Sequence, residues 1–237
     1  MKRRLFFGFL LVLALVLVIG GCGQKEPAEP VEPAVDPAEN AAVEQVDAPE
    51  TLTEGEEATS SPNIFFNKDK KEVSVFAEVN GKYFTEPTRH GVVYAGGSNG
   101  DKSVLRGLGD EKVFYETMVA VGFEPSNTMT IDDMSKGVKI EGEALDVFVS
   151  WDGQEIPFAD IITASEERPM DVRFGGNIAN ANEYNTGCIL CLDSCAVGIT
   201  SNAAYETGAS NDIQFYGNCD VLPADGTKVK VTFRARE

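Results

Sequence analysis

Val73-Ser-Val-Phe-Ala-Glu-Val-Asn-Gly-Lys-Tyr-Phe84 is the stretch on which the fold turns. Val73, Val75, Ala77 and Val79 recur at the two-residue period of a half-buried strand. Asn80-Gly81 has the composition of a type I′ turn, so the segment predicts a hairpin returning through Lys82-Tyr83-Phe84. Outward from it, Leu145, Val147, Val149 and Trp151 alternate, and Asp152-Gly153 supplies a turn into 155–158. Val229, Val231 and Phe233 alternate again at the C-terminus. Shorter strand candidates are 91–95, 103–106, 170–174 and 213–216. One helix is predicted: Asp110 caps it, Val113, Phe114, Met118 and Val121 share a face, and Gly122 stops it. Residues 158–166 are a second, shorter candidate. Strands, a helix and further strands in no regular alternation predict an α+β fold. The expectation is a strand-rich single domain with a mixed or antiparallel sheet and one or two helices.

That domain occupies 63–237. Ahead of it, Met1-Lys-Arg-Arg4 precedes an uncharged apolar run from Leu5 to Ile19, the layout of an export signal and short for a membrane span. The run ends in Ile19-Gly20-Gly21-Cys22, which resembles the lipobox of bacterial lipoproteins. The resemblance implies a signal peptide over 1–21, cleavage before Cys22 and a lipid anchor on its sulfur, held in the membrane by more than one acyl chain. Arg3-Arg4 also brushes the twin-arginine pattern, but the Leu/Val-rich run favours the general export route. Residues 22–62 are rich in Glu, Pro and Ala and contain no aromatic residue, which reads as an acidic disordered tether. Its forty or so residues reach roughly 35 Å as a flexible coil.

The 237-residue chain carries a formal charge of −18. That balance excludes a nucleic-acid binder, which needs clustered Lys and Arg. A single His, His90, excludes a multi-His zinc site. Gly96-Gly97-Ser98-Asn99-Gly100 matches the G-x-S-x-G elbow, but that elbow needs a His downstream of the Ser, and His90 lies upstream. The segment reads instead as a Gly-rich loop between strands; with His90, its Gly96, Gly97 and Ser98 form a candidate ligand loop. Paired carboxylates such as Asp132-Asp133 and Glu166-Glu167 suit hydrolysis in principle, but an acidic surface supplies such pairs freely. No catalytic residue is assigned.

The cysteines carry the chemistry. Cys188, Cys191 and Cys195 follow C-x2-C-x3-C spacing, and Cys219 lies further on. Thiolates at this spacing can share one metal centre, with Cys219 as a remote fourth ligand. The match to a bacterial ferredoxin is partial: Asn185 stands where its first Cys would be, and Ala196 replaces the Pro. Outside the cell, four thiols equally suit two disulfides, including a Cys188–Cys191 bridge. Spacing alone leaves both open.

The block from Phe174-Gly-Gly-Asn177 through Asn185-Thr-Gly-Cys-Ile-Leu-Cys-Leu-Asp-Ser-Cys-Ala-Val-Gly-Ile-Thr-Ser-Asn202 resembles the YdjY-domain family of bacterial envelope proteins. So do His90-Gly-Val-Val93 and the Phe114–Pro125 segment. The resemblance spans most of 72–235 and is most specific over 185–202; Cys219 lies outside the family's pattern. It implies an exported, often lipidated protein, with some members described as ferredoxin-like. The expectation is a membrane-anchored extracytoplasmic lipoprotein, attached through Cys22. Its domain would be a ferredoxin-like Fe–S (4Fe–4S) or metal-binding electron-transfer module that meets an envelope redox partner. The alternative is a disulfide-stapled, non-catalytic binding or structural module of the envelope.

Overall fold

A computed structural model describes residues 52–237. The expected signal peptide over 1–21, the expected lipidation at Cys22 and the expected tether up to residue 51 lie outside the described residues. Within them the strands are β1 (Glu57–Ala58), β2 (Ile64–Asn67), β3 (Glu72–Val79), β4 (His90–Tyr94), β5 (Ser103–Gly107), β6 (Glu143–Trp151) and β7 (Gln154–Pro157). There follow β8 (Ile162–Ala164), β9 (Val172–Phe174), β10 (Cys188–Cys191), β11 (Thr200–Asn202), β12 (Phe215–Gly217) and β13 (Lys228–Ala235). The two α-helices are α1 (Glu111–Val121) and α2 (Ile178–Tyr184).

The α+β expectation is overturned by the strand pairing. From β3 the order runs through β13, β6, β9, β11, β10, β4 and β5, and β5 pairs back onto β3 through Ala77↔Gly107 and Val79↔Leu105. Eight strands therefore close into a barrel, with parallel pairs only at β10–β11 and β4–β5. The helices are accessories to that barrel and do not form a layer on an open sheet. The strand-rich single domain holds. Alternation predicts a strand with one buried face, and the inside of a barrel satisfies that pattern as well as one side of a sheet does.

The Asn80-Gly81 hairpin is also corrected. Asn80 has φ −110°, and Gly81 opens a 3-10 turn over Gly81–Phe84. A type I′ turn needs positive φ at both residues. Strand β3 already has β13 along one edge and β2 and β5 along the other, so it has no free edge for a returning partner. Gly81 N–H donates instead to Asp225 Oδ1 at 2.7 Å. The second predicted hairpin forms: β6 turns into β7 through Asp152 (φ 50°) and Gly153 (φ 77°), with Trp151 opposite Gln154.

The barrel interior is the core. Val75, Val231 and Val149 lie in register across β3, β13 and β6 and are fully buried. Lys230 and Arg234, at alternating positions on the opposite face of β13, point outward into ion pairs with Glu56 and Glu72. Helix α1 brings Phe114 onto Phe233, ring centroids 4.8 Å apart. Asp110 caps it, accepting from the N–H groups of Lys112 and Val113, and Gly122 ends it in the left-handed region. The last residues of the acidic segment join the fold, since Glu57 and Ala58 pair with Phe66 and Phe65. Among the described residues no helix is long and apolar enough to cross a membrane.

Candidate metal centre

Cys188 and Cys191 both lie on β10, three residues apart. In a regular strand that spacing sends two side chains to opposite faces. Here the β10–β4 register shifts twice: Cys188 faces Val93, Leu190 faces Val92, and Cys191 faces His90. The irregularity lets Ile189 and Leu190 both join the barrel core. Cys188 and Cys191 are left together in a separate buried cluster with Val93 and Cys195. Bulges next to functional sites commonly re-aim side chains in this way. On β4 the compensating step falls at Gly91, where a Cβ would come 3.1 Å from the Phe158 ring and 3.3 Å from the Leu190 carbonyl oxygen.

The outcome is a convergent donor set. His90 Nδ1 lies 3.6 Å from Cys188 Sγ. One ligand atom each from His90, Cys188 and Cys191 lie within 4.8 Å of one another. Cys195, on the arc that follows β10, packs into the same buried cluster but lies outside this group of three. That arc is held from several sides. Asn177 donates to the Cys195 carbonyl, Asn180 to that of Ala196 at 2.7 Å, and Ala196 N–H points to Met134 Sδ at 3.2 Å. Ser194 Oγ accepts from Ile140 N–H and donates to the Tyr205 carbonyl.

The three buried sulfurs hold their protons unequally. The hydrogen bond from Cys191 pulls the Cys188 thiol well below its usual range, and His90 adds to the effect against burial. The same donation lowers Cys195, again against burial, with the Arg89 charge assisting. Cys191 itself is pushed well up by its two sulfur neighbours and by burial. Of the three sulfurs, Cys191 is therefore the one that holds its proton most firmly.

Cys219 is not part of this group. It is exposed beyond β12, whereas Cys188, Cys191 and Cys195 are buried. All four are free thiols. His90 comes to the sulfurs in its place, and it comes from the candidate ligand loop. The other members of that loop pack beside the site. A Cβ on Gly97 would lie 2.5 Å from the Thr186 carbonyl oxygen, so this glycine permits backbone to lie on backbone just before Cys188. A Cβ on Gly96 would run into the Tyr94 ring, and Ser98 N–H donates to the Asn185 carbonyl. Asn99, one residue on, brings its amide to 4.0 Å from Cys188 Sγ.

Sequence reasoning missed Asn99, and also Arg89 and Asp193. Asp193 is fully buried, and Arg89 donates to its Oδ1 from Nε at 3.0 Å and from Nη2 at 2.6 Å. A signal was present: an Asp inside a run of Cys, Leu and Ile must be buried, and a buried carboxylate needs a cation.

The YdjY domain matches residues 64–234 of this chain. The uncharacterized protein YdjY of Escherichia coli (strain K12) is 42% identical to it over 170 residues, which cover 70% of this chain and 75% of the relative. No solved structure matches it.

Proposed function

This chain belongs to the YdjY domain family, and we propose that it is a metal-binding module of the bacterial cell envelope. It holds one thiophilic ion, zinc or iron, between His90, Cys188 and Cys191, whose donor atoms lie within 4.8 Å of one another, with Cys195 of the same buried cluster as the fourth ligand. The observation that carries this reading is the spacing of the donors. Zn–N and Zn–S bonds of about 2.0 and 2.3 Å at a tetrahedral angle put ligand atoms about 3.5 Å apart. His90 Nδ1 and Cys188 Sγ stand 3.6 Å apart, and the triad with Cys191 closes within 4.8 Å. A 4Fe–4S cluster spreads its thiolates over several irons, which demands wider spacing than this. Three sulfurs and one imidazole are also the donors that zinc and iron favour.

The surroundings fit an ion as well. Ser201 Oγ is buried without a hydrogen-bond partner. A Cβ on Gly198 would fall 2.9 Å from Cys191 Sγ and 3.0 Å from Ser201 Oγ, so the glycine leaves that sulfur room. Iron in this site would make the domain a one-electron carrier; zinc would make it a structural centre. The chain works outside the cytoplasm, tethered through a lipid on Cys22, and its partner is an envelope redox protein if the ion is iron.

The test is elemental analysis of the full chain, purified without oxygen, with acid-labile sulfide and free thiols counted on the same sample. One zinc or iron per chain without sulfide is the expected result. Cys188→Ser should abolish binding, and Cys219→Ser should leave it unchanged. Iron with stoichiometric sulfide would replace the single ion with a cluster. Two disulfides and no metal would make the domain a stapled binding or structural module.

A further inference from the structure

We propose that Arg89 is a positioning residue of this metal centre, and that its clasp on Asp193 holds the cysteine arc against His90 in binding geometry. The inference rests on the metal-binding reading above. Arg89 immediately precedes His90 in sequence, and Asp193 lies between Cys191 and Cys195. The residue grips the arc twice. Its carbonyl accepts from Leu192 N–H at 2.8 Å, directly after Cys191. Its guanidinium donates to Asp193 Oδ1 from Nε and Nη2, two residues further on. Asp193 has no solvent exposure, and its other oxygen accepts from Ser210 N–H at 3.3 Å.

The clasp therefore fixes the two chain segments that supply the donors. His90 comes from β4, and Cys191 and Cys195 lead into and end the arc. No metal is needed to hold them in register. Residues that orient ligands in this way typically change metal affinity 10–100-fold when removed. Only a planar fork reaches Asp193 from two nitrogens at once, so Lys would restore the charge and part of the grip.

The experiment is a titration of the metal-free full chain with Co²⁺, whose thiolate charge-transfer and ligand-field bands report how many sulfurs bind and in what geometry. Wild type, Arg89→Lys and Arg89→Met are compared, and the thermal midpoint of each metal-free protein is measured separately. Arg89→Met should bind Co²⁺ about 10–100-fold more weakly. Arg89→Lys should recover part of that loss and keep the wild-type bands. A merely structural arginine would lower the metal-free midpoint and leave the affinity of the folded protein unchanged, which would overturn the inference. Should Arg89→Met not fold, Arg89→Lys decides: a weaker affinity in a folded protein supports the clasp, and wild-type affinity overturns it. Wild type that gives no cobalt–thiolate bands overturns the metal-binding reading itself, and the clasp with it.

Discussion

Gly198 shows how tightly the cysteines are set. It has no side chain, yet the place a Cβ would take lies 2.9 Å from Cys191 Sγ and 3.0 Å from both Ser201 Oγ and the Thr200 carbonyl oxygen. Cys191 is fully buried, so its sulfur has little room to retreat. Gly198→Ala should cost about 1–3 kcal/mol through overpacking. It should also displace the Cys191 sulfur and weaken metal binding, which a Co²⁺ titration run beside a thermal melt would check. An unchanged affinity would mean that Cys191 is not a ligand. The three clustered cysteines were legible in the sequence as a group, because C-x2-C-x3-C is a local pattern. That His90 and not Cys219 stands beside them was not, because a residue from a distant strand is brought there by strand pairing and leaves no spacing to read.

Helix α1 is the element whose sequence reading carried through most completely. Its cap, its apolar face and its stop all depend on neighbours within a few residues, where local chemistry dominates. Asp110 Oδ1 accepts from Lys112 N–H at 2.7 Å. Asp110→Ala should cost about 1 kcal/mol. In a domain of this size that lowers the melting temperature by about 2–4 °C. Asp110 touches none of the proposed ligands, so metal affinity should hold; a loss of binding would show that the helix end and the site are coupled. Strand β10 is the opposite case. Cys188-Ile-Leu-Cys191 has no alternation, since both of its faces are buried and its register is irregular. Such a run gives period-based reading nothing to detect.

Across the whole molecule, ion pairs tie the outside of the barrel together. Asp171 accepts from Arg173 at 2.9 Å and from Arg236 at 2.9 Å, joining the approach to β9 to the C-terminal residues past β13. Burial raises its pKa, but these two arginines more than offset that and hold the carboxyl below its reference of 3.8. A group whose folded pKa is depressed adds stability that is complete above the unfolded value and is lost as pH falls through the folded one. Asp171→Asn should therefore be less stable than wild type at neutral pH, and the gap should close on acidification below about pH 4. Urea unfolding of both proteins at a series of pH values measures it, and a gap that persists at low pH would place the effect in packing. By itself the sequence determined the strand-rich character, the position and ends of α1, the Asp152-Gly153 hairpin and the clustering of three thiols. Each of these depends on side chains close together along the chain. Only the tertiary structure decided that the sheet closes on itself, that Asn80-Gly81 is not a hairpin, and that His90, Arg89 and Asp193 stand beside the cysteines. The physical reason is shared: each depends on which strand edges meet, and an edge is chosen by backbone hydrogen bonds that are the same for every residue type.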